Sequence, residues 1–226
     1  MKYELLLADA DGTLFDFHAA ESQALKNTFF HFQVADTQEH RALYQMINTN
    51  LWTQYEKGLI TQKEIENQRF EDWYKEIYGV SGKGMEIEEY YIQQLGKGTQ
   101  LLFGAQAFVE KISEYMPIEI VTNGITCVQV NRLQSSAIAK NIQGLWISEE
   151  IGMAKPHPKM IHLAIEKYSI DKKKVIFLGD SLQADIGAAN NAGIDSIWIT
   201  REKRRNKAAT YQVSSLSEVE KILLKE

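Results

Sequence analysis

Apolar residues gather in five short runs, at 5–8, 118–121, 145–147, 175–178 and 196–199, each rich in Leu, Ile or Val. Most are separated by stretches of helical periodicity. That alternation predicts an α/β fold whose strands lie buried in a parallel sheet. The gap between the first two runs is different, because about a hundred residues pass there without a strand signal. Positions 20–32 are periodic. Asp36-Thr37-Gln38-Glu39 offers a helix start with a glutamate three residues on, and the pattern continues towards Gly58. Thr61-Gln62-Lys63-Glu64 is a clearer capping box, with a stop near Gly79. A further helix is predicted over 86–95. The pattern therefore places a helical insertion at 16–98, between a first strand in 1–15 and the rest of an α/β core in 99–226. The chain would leave the core and return, so both junctions are expected to act as hinges.

A chain of 226 residues suffices for one full core or two modest ones. Its formal net charge of −5 argues against a nucleic-acid polymer as partner, which would call for clustered positive charge. The one basic cluster, Arg201, Lys203, Arg204, Arg205 and Lys207, reads as a solvated loop. A single cysteine, Cys127, excludes an internal disulfide, and no Cys/His spacing suggests zinc. A reducing, cytoplasmic setting is expected. Glu4 and Asp9 interrupt the first apolar stretch, which does not resemble a secretory signal, and no run approaches the ~18 residues of a membrane span.

The chemistry begins where the first run ends. Asp9 and Asp11 are two residues apart, so on an extended strand end they point to one side. Two carboxylates so placed repel unless a cation neutralises them. A turn explains Asp11-Gly12 but leaves Asp9 unexplained. The other runs end similarly: 118–121 in Thr122-Asn123-Gly124, and 175–178 in Gly179-Asp180-Ser181 with Asp185 beyond. Gly152-Met153-Ala154-Lys155-Pro156 follows the third run. Ligands of open parallel sheets bind beyond the carboxyl ends of the strands, where Asp9, Asp11, Thr122, Lys155, Asp180 and Asp185 would converge. Carboxylates are hard ligands suited to Mg2+, while Lys155 and Thr122 would hold phosphoryl oxygens. Taken singly, Thr122 reads equally well as a helix cap, and Lys155 as a solvated surface group.

Together, Asp9-Ala10-Asp11-Gly12-Thr13, Thr122-Asn123-Gly124, Lys155-Pro156 and Gly179-Asp180 with Asp185 resemble the four motifs of the haloacid-dehalogenase-like hydrolases, in the same order. The resemblance implies a Rossmann-like core with an α-helical cap, and it assigns roles. Asp9 would attack phosphorus, and Asp11 would protonate the leaving oxygen and then activate water. Asp9, Asp180 and the main-chain carbonyl of Asp11 would hold Mg2+, with Asp185 orienting that shell. Thr122, Asn123 and Lys155 would bind the phosphoryl group. The second aspartate speaks against dehalogenation, since cleaving a carbon–halogen bond needs no acid for the halide.

A narrower resemblance reaches into the insertion. Asn48-Thr49-Asn50-Leu51-Trp52, the segment 55–58, Arg69-Phe70-Glu71-Asp72-Trp73, the segment 147–152 and Val213-Ser214-Ser215-Leu216 are similar to the house-cleaning pyrimidine 5′-nucleotidases of that superfamily. The implied substrate is a pyrimidine nucleoside monophosphate. Thirteen of the 23 aromatic residues lie in 17–98. Most are expected to build the core of the insertion, with Phe17, Trp52 and Tyr55 as the residues to recognise a base. Arg69 would meet a base carbonyl or pair with Glu66 or Glu71. A sugar phosphate or phosphoglycolate would suit the same four motifs, and a phospho-accepting signalling module gathers similar residues. Either a monomer or a dimer is compatible with the sequence.

Overall fold

The computed structural model describes residues 1–225, which divide into two compact units: Met1–Phe17 with the chain from Thr99 onward, and His18–Gly98. The first unit holds an all-parallel sheet of β1 (Leu5–Ala8), β2 (Ile118–Thr122), β3 (Gly144–Ile147), β4 (Val175–Gly179), β5 (Asp195–Ile199) and β6 (Tyr211–Val213). Five of these are the predicted runs. The sixth, Tyr-Gln-Val, carries no apolar run for a sequence reading to catch.

The strand order is β3-β2-β1-β4-β5-β6. Leu6 pairs with Ile118 on one side and Ile176 on the other, so β1 lies mid-sheet where the order reverses. Alternation along β1 sends Leu6 and Ala8 to one face and Leu5 and Leu7 to the other. Helices α5 (Ala105–Ile112) and α10 (Leu216–Leu223) pack on the first face. Helices α8 (Lys159–Tyr168), which follows the one-turn α7 (Ser148–Ile151), and α9 (Gly187–Ala192) pack on the second. Burial on both faces is why β1, β2 and β4, buried along their whole length, are apolar at nearly every position. Glu119 of β2 is an exception and is fully buried, its carboxylate accepting bonds from Tyr168 Oη and Trp146 Nε1, each at 2.5 Å.

The second unit contains α1 (Phe17–His31, apart from its first residue), α2 (Gln38–Glu56), α3 (Gln62–Tyr78) and α4 (Gly84–Leu95). The Thr61–Glu64 capping box forms as read, with the Glu64 carboxylate accepting from Thr61 N at 2.7 Å. Helix α3 ends at Gly79 in the left-handed region, φ 68°. The start of α2 differs by one residue: Thr37, not Asp36, accepts from His40 N, because Arg41 engages the Asp36 carboxylate at 2.5 and 2.8 Å.

Phe29 stacks on Trp73 at 5.1 Å, and Tyr44, Phe70 and Tyr91 pack together as core. Arg69 is buried there. Its guanidinium pairs with Glu88 and donates to Asn48 Oδ1 at 3.0 Å, so neither Glu66 nor Glu71 is its partner. Glu71 instead accepts from Gly82 N and Gly84 N at the start of α4, at 2.6 and 2.8 Å. Among the described residues, no helix is long and apolar enough to cross a membrane.

Candidate active site

Strand β1 stops at Ala8, and the next residue, Asp9, is tied to the end of β4 through its N–H to Leu178 O at 2.9 Å. Gly12 turns the chain away with φ 81°. A β-carbon there would overlap the Asp180 carboxylate, so glycine admits the β4 acid beside the β1 acids. Asp180 has its carbonyl held by Trp198 Nε1 at 2.8 Å, and Asp185 accepts from Ser181 N at 2.9 Å. Asp9, Asp180 and Asp185 each offer a carboxylate oxygen, all within 4.8 Å of one another.

One cation stands among them. Lys155 is buried, and its Nζ donates to Asp9 Oδ1 at 2.5 Å, Asp185 Oδ1 at 2.7 Å and Val121 O at 2.8 Å. It is not a solvated surface lysine. Burial works against its charge, but Asp185 and Asp9 outweigh that and hold its pKa above the ordinary lysine value. Burial raises the Asp9 carboxyl well above the usual range; Lys155 opposes the rise, and Asp185, Asp180 and Asp11 reinforce it. Asp180 reaches the surface, but the protein crowded around its carboxylate, and then Asp185, push it up to about 6. One lysine thus leaves this group with excess negative charge.

Thr122 is buried at the end of β2, and its hydroxyl accepts from Gly124 N at 3.0 Å. It caps no helix: α6 (Thr126–Gln134) starts later, from Ile125. Asn123, expected at the phosphoryl group, has its side-chain amide engaged otherwise. Its Nδ2 donates to Lys155 O at 2.9 Å, and its Oδ1 accepts from Lys155 N at 2.8 Å. The side chain thus clamps the segment that delivers Lys155.

Asp11 shows what sequence reasoning missed. Its Oδ2 accepts from Gln129 Nε2 at 2.6 Å, and its Oδ1 pairs with Arg132. The only signal available was a polar i, i+3 pair in α6, which is unreadable without knowing which face turns inward. Trp52 and Tyr55 are half-buried on α2, edge to face at 5.6 Å, and Phe17 is half-buried at the start of α1. The basic run 201–207 is a loop between β5 and β6, mostly exposed.

The family model of the haloacid dehalogenase-like hydrolases matches residues 6–199, which include every motif residue above. The chain belongs to this family. The pyrimidine 5′-nucleotidase YjjG of Escherichia coli is 34% identical over the whole of both chains. PynA of Streptococcus pneumoniae, also a pyrimidine 5′-nucleotidase, is 33% identical over 97% of this chain and 94% of its own. Among solved structures, the HAD-hydrolase YfnB of Bacillus subtilis, bound to magnesium, superposes with a TM-score of 0.91 at 32% identity over 99% of each chain. L-2-haloacid dehalogenase of Xanthobacter autotrophicus shares the fold, with a TM-score of 0.76 at 14% identity over 98% of each chain. As a family member this protein is a hydrolase, and its four motifs lie at the carboxyl ends of the sheet and in the loops that follow.

Proposed function

We propose that this protein is a cytoplasmic, Mg2+-dependent phosphatase that hydrolyses phosphate monoesters through Asp9, with a pyrimidine nucleoside 5′-monophosphate as substrate. The carrying observation is the grouping of Asp9, Asp180 and Asp185 around Lys155 at the strand ends. Nucleotide specificity is supported by YjjG and PynA, similar along almost their whole length. Phe17, Trp52 and Tyr55 are the residues proposed to recognise the base.

The donor set fits a divalent cation. Three carboxylates against one ammonium leave uncompensated charge, and every donor is a hard oxygen. Asp9, Asp180 and the Asp11 carbonyl would hold Mg2+, with Asp185 orienting that shell. The ion would supply charge neutralisation for an incoming phosphate dianion.

In the proposed reaction a carboxylate oxygen of Asp9 forms a bond to phosphorus as the ester P–O bond breaks. Asp11 gives its proton to the departing oxygen. Water then attacks phosphorus and loses a proton to Asp11; the P–O bond to Asp9 breaks, and inorganic phosphate leaves. Lys155 keeps Asp9 oriented throughout, and Thr122 lies at the end of the neighbouring strand to meet a phosphoryl oxygen. Positioning of this kind carries most of phosphoryl-transfer catalysis.

A panel of monoesters with Mg2+ tests the substrate. UMP, dUMP or dTMP is expected to exceed sugar phosphates and phosphoglycolate by more than about tenfold in kcat/KM, roughly 1.4 kcal/mol. A flat profile, or sugar phosphates in the lead, removes the nucleotide reading. A long-lived phospho-Asp9 with negligible turnover would point instead to a signalling module.

The metal reading has its own test. A carboxyl raised to about 6 holds its proton below that pH, and the proton competes with a cation. Apparent Mg2+ affinity, followed as the Mg2+-induced rise in Tm, is expected to climb with pH through about 6, by about tenfold per pH unit on the acid side for the Asp180 proton alone and more steeply where Asp9 also gives up a proton. Affinity independent of pH from 5 to 8 would contradict a raised Asp180 carboxyl at the cation site.

A further inference from the structure

Asp11 does not stand alone at the end of its turn. Arg132 is fully buried, and its guanidinium lies 4.8 Å from the ring centroid of Phe15, itself in the core. Gln129 is 3% exposed and one helical turn away on the same face of α6. Each binds a different oxygen of Asp11. Arginine has no acceptor, and the glutamine bonds through its NH2, so both side chains are donors to the carboxylate. A carboxylate offers about four lone-pair sites. Two donors fix its plane and leave the other lone pairs for a proton to come and go, and the Asp11 side chain remains 24% exposed.

The sequence makes room for this clamp. A β-carbon on Gly124 would overlap the Gln129 side-chain amide, so glycine at that position lets Gln129 reach across. The same short segment carries Thr122, whose hydroxyl accepts from Gly124 N. One loop and helix therefore place a phosphoryl-binding candidate and both clamp residues.

We infer that Gln129 and Arg132 are positioning residues that hold the Asp11 carboxylate in line for proton transfer to the leaving oxygen. The inference rests on Asp11 being the proton donor, as proposed above. The clamp matters most when the leaving group needs a proton. Phenol, with a pKa of about 10, needs one more than p-nitrophenol does.

The experiment compares kcat/KM for p-nitrophenyl phosphate and phenyl phosphate, with Mg2+, in Arg132→Met, Arg132→Lys, Gln129→Met and Gln129→Glu. Arg132→Met is expected to lose at least about tenfold more on phenyl phosphate than on p-nitrophenyl phosphate, within the range of general-acid effects. Arg132→Lys recovers part of that loss. In an Asp11→Asn background, Arg132→Met adds less than about a twofold loss, because two residues acting through one group are non-additive. If Arg132→Met does not fold, the two Gln129 variants carry the test. Gln129→Glu, which sets a like charge against Asp11, is expected to discriminate between the esters more than Gln129→Met. Equal losses on both esters, or the same loss with and without Asp11, overturn the clamp. Parental activity in Asp11→Asn would overturn the donor role itself, so the two failures are distinguishable.

Discussion

Asp9→Asn is expected to lower kcat by at least about 10⁴-fold on every monoester, as removal of a nucleophile does elsewhere, while leaving the fold intact. Asn keeps the shape of Asp9 and an oxygen to accept from Lys155 Nζ, now 2.5 Å away. What disappears is a charge that the site disfavours. Burial, opposed by Lys155 and reinforced by three neighbouring aspartates, raises the Asp9 carboxyl well above its usual range. A carboxyl whose pKa rises on folding destabilises the fold as pH climbs past its unfolded value, because ionisation is harder in the folded state than in the unfolded one. In EDTA at neutral pH the variant is therefore expected to melt at or above the parent's Tm. Such a site exchanges stability for reactivity. Substantial turnover in the variant would contradict the covalent route, and a lower Tm in EDTA would contradict the electrostatic account.

Lys155→Met should do the opposite to stability. The lysine is 2% exposed and holds Asp9 and Asp185 together. Its removal leaves those carboxylates facing each other without a cation. Loss of one partner from a buried ion pair costs about 3–5 kcal/mol, and a loss in that range is expected from urea denaturation in EDTA at pH 7. The folded lysine has a raised pKa, so its contribution is fully present below about 10.5, the unfolded value, and disappears only as pH rises through the folded one. Over pH 6 to 9 the deficit should stay nearly level on the lysine's account. It should narrow towards acid, where Asp9 and Asp180 take up protons. Adding Asp185→Asn to Lys155→Met should return part of the loss, with a coupling of about 0.5–3 kcal/mol. Simple additivity would mean that Lys155 acts by packing alone. Activity should fall sharply in the single variant, because Asp9 loses the bond that aims it.

Much of the grouping at the candidate site was legible because its signal is local. An apolar strand that ends in acids, as at Asp9 and Asp180, announces itself within a few residues, and so do the Thr61–Glu64 box and the stop at Gly79. Asp36 misled because its sequence context suits a cap, whereas Arg41, five residues on, engages its carboxylate. Arg69 misled in a similar way: Glu66 and Glu71 are near in sequence, but Glu88, on the next helix, faces it in the core.

The amino-acid sequence by itself determined the strands of the sheet except the short Tyr211–Val213, the helical character of the insertion, and the acids set at strand ends. Those properties follow from periodicity and from the order of residue types along a few positions. Only the tertiary structure decided which side chains meet. Lys155 reaches Asp9 across 146 residues and Arg132 reaches Asp11 across 121. Those pairings depend on where each loop closes and which face of each helix turns inward, and both are settled by packing of the sheet and its helices as a whole.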